Sequence, residues 1–313
     1  TEVEALFITY LTGLVPDMSG ILDIAEKYGL RVIEDCSQCV DASYRGQKIG
    51  TFGEAAFFSL TNFKVTSSLF GGMVITNNGQ LAGRLRESRK KDLLVPTKPM
   101  LLKLLVKDLI YQAFFSKWVF SYFTYFVVLA LEKIDPEITY RLYSGNIRTL
   151  LGVNKSELHT AFPSDYLGDY TDVQAALGIK AMEKIDNITS SRVRNGERLR
   201  ELLRGTPGIK IPAKRDGATN VYWRFPVISE DPMGLKMFLL DNGIDSAPTY
   251  LTLCSSEPGF EPYHKAAPRA EEMKKNTLIV EVNEDLGDDD IDRTASLIRA
   301  YAARPRKTGE KNT

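Results

Sequence analysis

Asp35 and Lys64 are the two side chains in this 313-residue sequence whose surroundings best suit them to chemistry. Asp35 follows the run Arg31-Val32-Ile33-Glu34, and Lys64 ends the segment Ser59-Leu60-Thr61-Asn62-Phe63-Lys64 that leaves the apolar run Ala55 to Leu60. Both runs read as short buried strands, and ligands of open α/β sheets bind at the carboxyl ends of strands. Gln38, three residues past Asp35, shares its turn and can face the same pocket. A carboxylate at one strand end and an amine at a neighbouring one are what pyridoxal phosphate requires. The amine condenses with the aldehyde, and the aspartate keeps the pyridine nitrogen protonated so that the ring acts as an electron sink. Taken singly, Asp35 could as well cap the next segment and Lys64 could be an ordinary surface lysine. Their order and context favour the pair.

The elements that must position these residues alternate in type. Ala5 to Tyr10 reads as a strand. After a turn with Gly13 and Pro16, the spacing of Met18, Ile21, Leu22, Ile24 and Ala25 predicts a helix that Gly29 terminates. Beyond Gly71-Gly72, Met73 to Thr76 reads as another strand, followed by an Asn-Asn-Gly turn and a charged helix to about Lys91. Strands joined by helices and apolar on both faces indicate an α/β domain with a largely parallel sheet over residues 1–95. Residues 161–204 read as connecting helices, with Val173, Leu177, Ala181, Ile185 and Ile188 spaced as one long helix running on into Arg192 to Leu203. A smaller α+β domain is expected over 205–303. It has strands at Val221 to Ile228 and Leu278 to Val282, a helix through Lys236 to Leu240 that ends near Gly243, and a final amphipathic helix through Ile291, Ala295 and Ile298. A polar tail covers 304–313.

Residues 96–160 differ from their surroundings. Within 99–133, a leucine-rich stretch with Lys103, Lys107, Asp108 and Lys117 leads into an uncharged aromatic run from Trp118 to Leu131. That run makes roughly 21 Å of helix, short of the roughly 30 Å hydrocarbon core of a bilayer. Two readings fit: an interfacial helix on a membrane surface, with aromatics and lysines at headgroup level, or a helical insertion packed on the body or on a second subunit.

Composition narrows the remaining classes. Forty basic and 40 acidic residues give a net charge of +0, so there is no electrostatic reason to expect nucleic acid as a partner. Three cysteines exclude a disulfide-built secreted scaffold and suit a reducing, cytoplasmic compartment. Cys36-x-x-Cys39 has metal or redox spacing, but zinc would need further ligands from the scattered Cys254, His159 and His264. Two small buried thiols are the simpler reading, and no metal is expected. Two histidines in all argue against a histidine-based triad. Asp288 to Asp290 read as a helix start rather than a cation site, and Arg89, Lys90 and Lys91 as a solvated face.

Several segments together resemble the DegT/StrS family of sugar aminotransferases. Val32-Ile33-Glu34-Asp35-Cys36-Ser37-Gln38 is similar to its "VIEDxxQ" segment, and Tyr44 to Gly50 to its "YxGxxxG" turn. Phe57 to Lys64 with Gly71-Gly72 resembles the lysine segment, Tyr10 to Met18 the turn entering its first helix, and Asp172 to Gly178 its "ELQAALG" helix. The resemblance implies a fold-type-I (aspartate aminotransferase-like) pyridoxal phosphate enzyme acting as a homodimer. Lys64 would bind the cofactor and move the proton, Asp35 would pair with the pyridinium nitrogen, Gln38 would lie beside the ring and Ser59 would bind the phosphate. The implied reaction passes an amino group, usually from glutamate, to a keto group of a nucleotide-linked sugar. Lysine at position 64 favours transamination over dehydration, because the family's dehydratases carry histidine there.

The chain also departs from the family. It opens at Thr1 in what reads as a domain interior, so an N-terminally incomplete chain is expected. Val40 replaces a frequent histidine, Leu167-Gly168-Asp169-Tyr170 stands where "NYRM" is usual, and Ala247-Pro248-Thr249-Tyr250 replaces His-Tyr-Pro. A catalytically inactive member serving as a binding or scaffold subunit is the alternative these departures leave open.

Overall fold

The computed structural model describes residues 3–62, 64–135, 138, 167–249, 253, 256 and 260–305. Phe63, His159, Tyr250, Cys254, most of 136–166 and the tail from 306 onward lie outside the described residues. The chain divides into two compact units, one of Thr1–Val127, Glu157–Arg194 and Lys214–Trp223, the other of Val128–Ser156, Asn195–Ala213 and Arg224–Thr313.

In the first unit the early strands are β1 (Ala5–Thr9), β2 (Arg31–Asp35), β3 (Ser43–Tyr44), β4 (Gln47–Lys48), β5 (Ala55–Ser59) and β6 (Gly72–Ile75). The main sheet has the order β1-β2-β5-β6. β1, β2 and β5 run parallel, and β6 closes the edge antiparallel to β5. Alternation sorts the side chains into two faces. Ile8, Val32, Glu34, Ala56 and Phe58 are buried on one, while Asp35, Phe57 and Ser59 are half-buried on the other. Strand β7 (Ile209–Lys210) belongs to the second unit, and β8 (Ala218–Thr219) to the first, where it pairs with β3 in the sheet β4-β3-β8.

Helix α1 (Met18–Tyr28) begins where the Asp17 carboxylate accepts the Gly20 N–H and ends at Gly29 with φ 62°, the left-handed cap that glycine adopts most cheaply. α2 (Gly79–Asp92) is capped by Asn78. The aromatic-rich segment forms α3 (Lys98–Phe114), a π-helical turn at Phe120–Thr124 and α4 (Tyr125–Ile134). Among the described residues no helix is long and apolar enough to cross a membrane. The expected single helix over 173–203 is two, α5 (Asp172–Met182) and α6 (Ile185–Leu203). The break follows a tightened turn in which Lys184 N–H reaches Ala181 O, three residues back, at 3.2 Å.

The second unit holds β9 (Phe225–Ser229), α7 (Pro232–Asp241), β10 (Ser246–Pro248), α8 (Pro268–Asn276), β11 (Thr277–Val280) and α9 (Asp288–Ala302). Its sheet, β10-β11-β9-β7, is antiparallel throughout. Phe225, Val227, Leu235, Leu239, Leu278 and Ile291 are fully buried in its core. Three aspartates open α9, as the helix dipole favours. The expected strand from Val221 starts only at Phe225. Residues 220–223 belong instead to the first unit, where Val221 N–H donates to Gly13 O and Val15 N–H to Asn220 Oδ1, and they are irregular.

Candidate active site

Parallel pairing aligns the ends of β1, β2 and β5. Thr9 is opposite Asp35, and Asp35 opposite Phe57, two residues before Ser59. Asp35 and Ser59 therefore share one face at the carboxyl end of the sheet. The loop from Leu60 to Gly71 leaves β5 and returns as β6 at that same end, and it carries Lys64.

Each candidate residue has a defined setting. Asp35 Oδ1 accepts the Ser37 N–H at 2.9 Å, an Asx-type turn, and among the described residues that is the one hydrogen bond to its carboxylate. Gln38 Oε1 accepts the Thr12 N–H at 2.7 Å. Ser59 Oγ lies 3.0 Å from Thr61 Oγ1, so two hydroxyls stand side by side at the strand end. Lys64 Nζ lies 4.6 Å from the ring centre of Trp223, a cation–π contact.

The loop bearing Lys64 is braced from two helices. Asn62 Nδ2 donates to Asp108 of α3 at 2.7 Å, and Asn62 Oδ1 accepts from Ser67 Oγ at 2.8 Å. From the other side, Tyr170 OH donates to Ser68 Oγ at 2.5 Å, and Gln174 Nε2 of α5 donates to Phe70 O at 2.5 Å. Tyr170 thus has a definite task in the segment that departs from the family pattern, and Gln174 has one in the segment that matches it.

Trp223 reaches Lys64 because its backbone is pinned. Val221 N–H donates to Gly13 O at 3.1 Å, Val15 N–H to Asn220 Oδ1 at 2.9 Å, and Arg192 to the carbonyls of Tyr222 and Trp223. Tyr222 is fully buried with φ 43°, a conformation a bulky residue adopts only when its surroundings enforce it. Gly13, at φ 81°, must be glycine, since a Cβ there would lie 2.5 Å from Trp223 N.

Behind the face that carries Asp35, Glu34 is fully buried. Its carboxylate accepts Tyr10 OH at 2.5 Å and the N–H groups of Gly50, Phe52 and Gly53 at 2.6, 2.7 and 2.7 Å. Burial and the bond to Glu34 push the Tyr10 hydroxyl well above the ordinary phenol range. One strand thus turns a structural carboxylate inward and a half-buried one toward the candidate site. Cys36 and Cys39 are fully buried, and burial first, then the nearby Glu34, pushes both thiols upward and away from the thiolate form. Among the described residues no cluster of three His, Cys, Asp or Glu could hold a metal ion.

Sequence reasoning singled out Asp35, Gln38, Ser59 and Lys64, which all stand at one end of one sheet in the first unit. It missed Trp223, Thr12 and the bracing pair Tyr170 and Gln174. The positive φ of Tyr222 has no sequence signature, and Trp223 meets Lys64 only through tertiary packing.

The fold is the fold-type-I, aspartate aminotransferase-like one, as the likeness to solved structures shows. Solved structures align along almost the whole chain. DesV from S. venezuelae, solved with a ketimine intermediate, gives a TM-score of 0.66 at 20% identity over 97% of this chain and 66% of its own. CalS13 from Micromonospora echinospora gives 0.67 at 17% identity, covering 95% and 67%. The chain belongs to the DegT/DnrJ/EryC1/StrS aminotransferase family, whose profile matches residues 1–98 and 156–299. Among curated relatives, the L-glutamine:2-deoxy-scyllo-inosose aminotransferase of Streptomyces fradiae is 42% identical over 88 residues, 28% of this chain and 21% of that protein. The GDP-perosamine synthase of Vibrio cholerae is 21% identical over 254 residues, 80% of this chain and 53% of that protein. The chain thus spans about half or less of the length of these curated relatives.

Proposed function

We propose that this chain is the catalytic part of a pyridoxal phosphate-dependent aminotransferase that moves an amino group, usually from glutamate, to a keto group of a nucleotide-linked sugar. The observation that carries this reading is the placement of a lysine loop, a half-buried carboxylate and a paired hydroxyl at the carboxyl end of one sheet. The residues fit the cofactor. Asp35 offers a half-buried carboxylate that accepts a local N–H, and Ser59 and Thr61 offer two adjacent hydroxyls suited to a phosphate.

When bound, the cofactor would supply an aldehyde and an electron sink. Asp35 would hold the proton on its ring nitrogen. Lys64 Nζ would carry the cofactor and shuttle a proton, with the indole of Trp223 fixing its position. Gln38, oriented by Thr12, would lie beside the ring, and Ser59 would bind the phosphate. Nucleotide-sugar acceptors are supported by relatives such as the GDP-perosamine synthases and a dTDP-3-amino-3,6-dideoxy-alpha-D-galactopyranose transaminase of Aneurinibacillus thermoaerophilus. In line with the family resemblance, the protein would act as a homodimer in the cytoplasm, with residues 1–95 and 205–303 as its larger and smaller domains.

The test is transfer of label from amino-¹⁵N glutamate to GDP- or dTDP-linked keto-sugars by the full-length protein, read by mass spectrometry. Labelled amino-sugar that disappears in Lys64→Ala supports the proposal. Folded protein that binds keto-sugar nucleotide but transfers no label from any amino donor favours the scaffold reading instead.

A further inference from the structure

The family profile stops at residue 98 and resumes at 156, so most of α3 and the aromatic turn after it lie outside the residues the profile matches. α3 has two unlike faces. Its inner side is anchored, with Asp108 accepting from Asn62 in the lysine loop, while Met100, Leu101 and Leu104 line a cavity of about 30 Å³ with Phe70, Gly71 and Tyr170. Its outer arc at helical spacing is Leu102, Leu105, Val106, Leu109 and Ile110, all exposed, with Leu102 and Leu109 at 62% and 69%. Beyond it Trp118 and Tyr122, 71% and 73% exposed, stack at 6.0 Å with their planes 6° apart, and Phe123 and Phe126 are exposed beside them in sequence. An outward apolar surface of this extent marks an interaction site.

Charge identifies the occupant. From residue 98 to 127 the sequence holds Lys98, Lys103, Lys107 and Lys117 against one acid, Asp108. That acid is turned inward to Asn62, and Lys98 and Lys103 are exposed with the apolar arc. Protein–protein interface cores are depleted in lysine, whereas lysines with tryptophan and tyrosine beside an apolar helical arc suit the headgroup level of an anionic bilayer. We infer that α3 and the Trp118–Phe126 turn lie in the plane of a membrane surface bearing anionic lipid, holding the lysine loop beside that surface. The 17-residue α3 would be immersed along its length, consistent with the lack of a spanning helix among the described residues.

The test is flotation of the full-length protein with vesicles of equal parts phosphatidylcholine and phosphatidylglycerol, with phosphatidylcholine vesicles as control. The inference expects binding to the anionic vesicles that weakens with salt, and an affinity loss of about tenfold or more in Leu102→Glu/Leu109→Glu. Trp118→Ser/Tyr122→Ser provides a second variant that leaves α3 untouched, and circular dichroism verifies the fold of both. Labelling of Lys64 by pyridoxal phosphate is scored in the same samples, so loss of vesicle binding and loss of the proposed activity are read separately. Folded wild-type protein that ignores anionic vesicles overturns the inference. So does a wild-type dimer without lipid binding that Leu102→Glu/Leu109→Glu converts to monomer, because a second copy would then cover the face.

Discussion

The Lys64 nitrogen has an indole face 4.6 Å away, and that contact makes a residue-level prediction. A cation–π contact is worth about 0.5–2 kcal/mol, so replacing Trp223 by alanine should weaken retention of pyridoxal phosphate by about two- to thirtyfold. Trp223→Phe, which keeps an aromatic face, should retain most of it. Equilibrium dialysis of the two variants separates these outcomes, and equal losses in both would contradict a role for the aromatic face. The chain has two tryptophans, Trp118 and Trp223. Bound cofactor beside Lys64 should therefore quench emission that Trp223→Phe abolishes and Trp118→Phe preserves. Asp35 and Lys64 were legible from sequence because strand ends in α/β folds announce themselves. Trp223 was not, since Val221-Tyr222-Trp223 is a run of strand-forming residues that packing on Gly13 overrides.

β2 shows how one element serves two faces. Glu34 satisfies three backbone donors and a buried phenol, so Glu34→Ala leaves those donors without a partner and should cost about 3 kcal/mol or more in urea unfolding. A loss under about 1 kcal/mol would show that water replaces the carboxylate. From sequence, Glu34-Asp35 was only a polar pair after a strand, because the donors that Glu34 satisfies lie 16 to 24 residues away in the chain. A second element-level prediction concerns Tyr170 and its neighbour Asp169. The Arg89 guanidinium, bound to Asp169 at 2.6 Å, holds that carboxyl below the usual carboxylate range. A carboxyl depressed in the folded state contributes stability above its unfolded pKa and loses it as pH falls through the folded one. The protection factors of amides near Leu94 and Gly168, corrected for the intrinsic pH dependence of exchange, should therefore fall on acidification in the wild type, and Asp169→Asn should lack that dependence. The pair is half-exposed, so the effect is small and local.

At the scale of the molecule, all the candidate site residues fall in the first unit, and so does Lys214–Trp223, flanked in sequence on both sides by segments of the second. That excursion supplies β8 to the sheet of β3 and β4 and delivers Trp223, a non-local arrangement that local periodicity cannot express. Strands β1, β2, β5 and β6, by contrast, were readable as short apolar runs, as was α9 from Ile291, Ala295 and Ile298, all buried. The proposed function requires that Lys64 carry pyridoxal phosphate. The most direct measurement is to add the cofactor to full-length protein, reduce with borohydride and locate the modified lysine by peptide mass mapping. A pyridoxyl label on Lys64 that is lost in Lys64→Ala is the predicted result. Folded protein with no label, or a label on other lysines that persists unchanged in Lys64→Ala, would contradict the account.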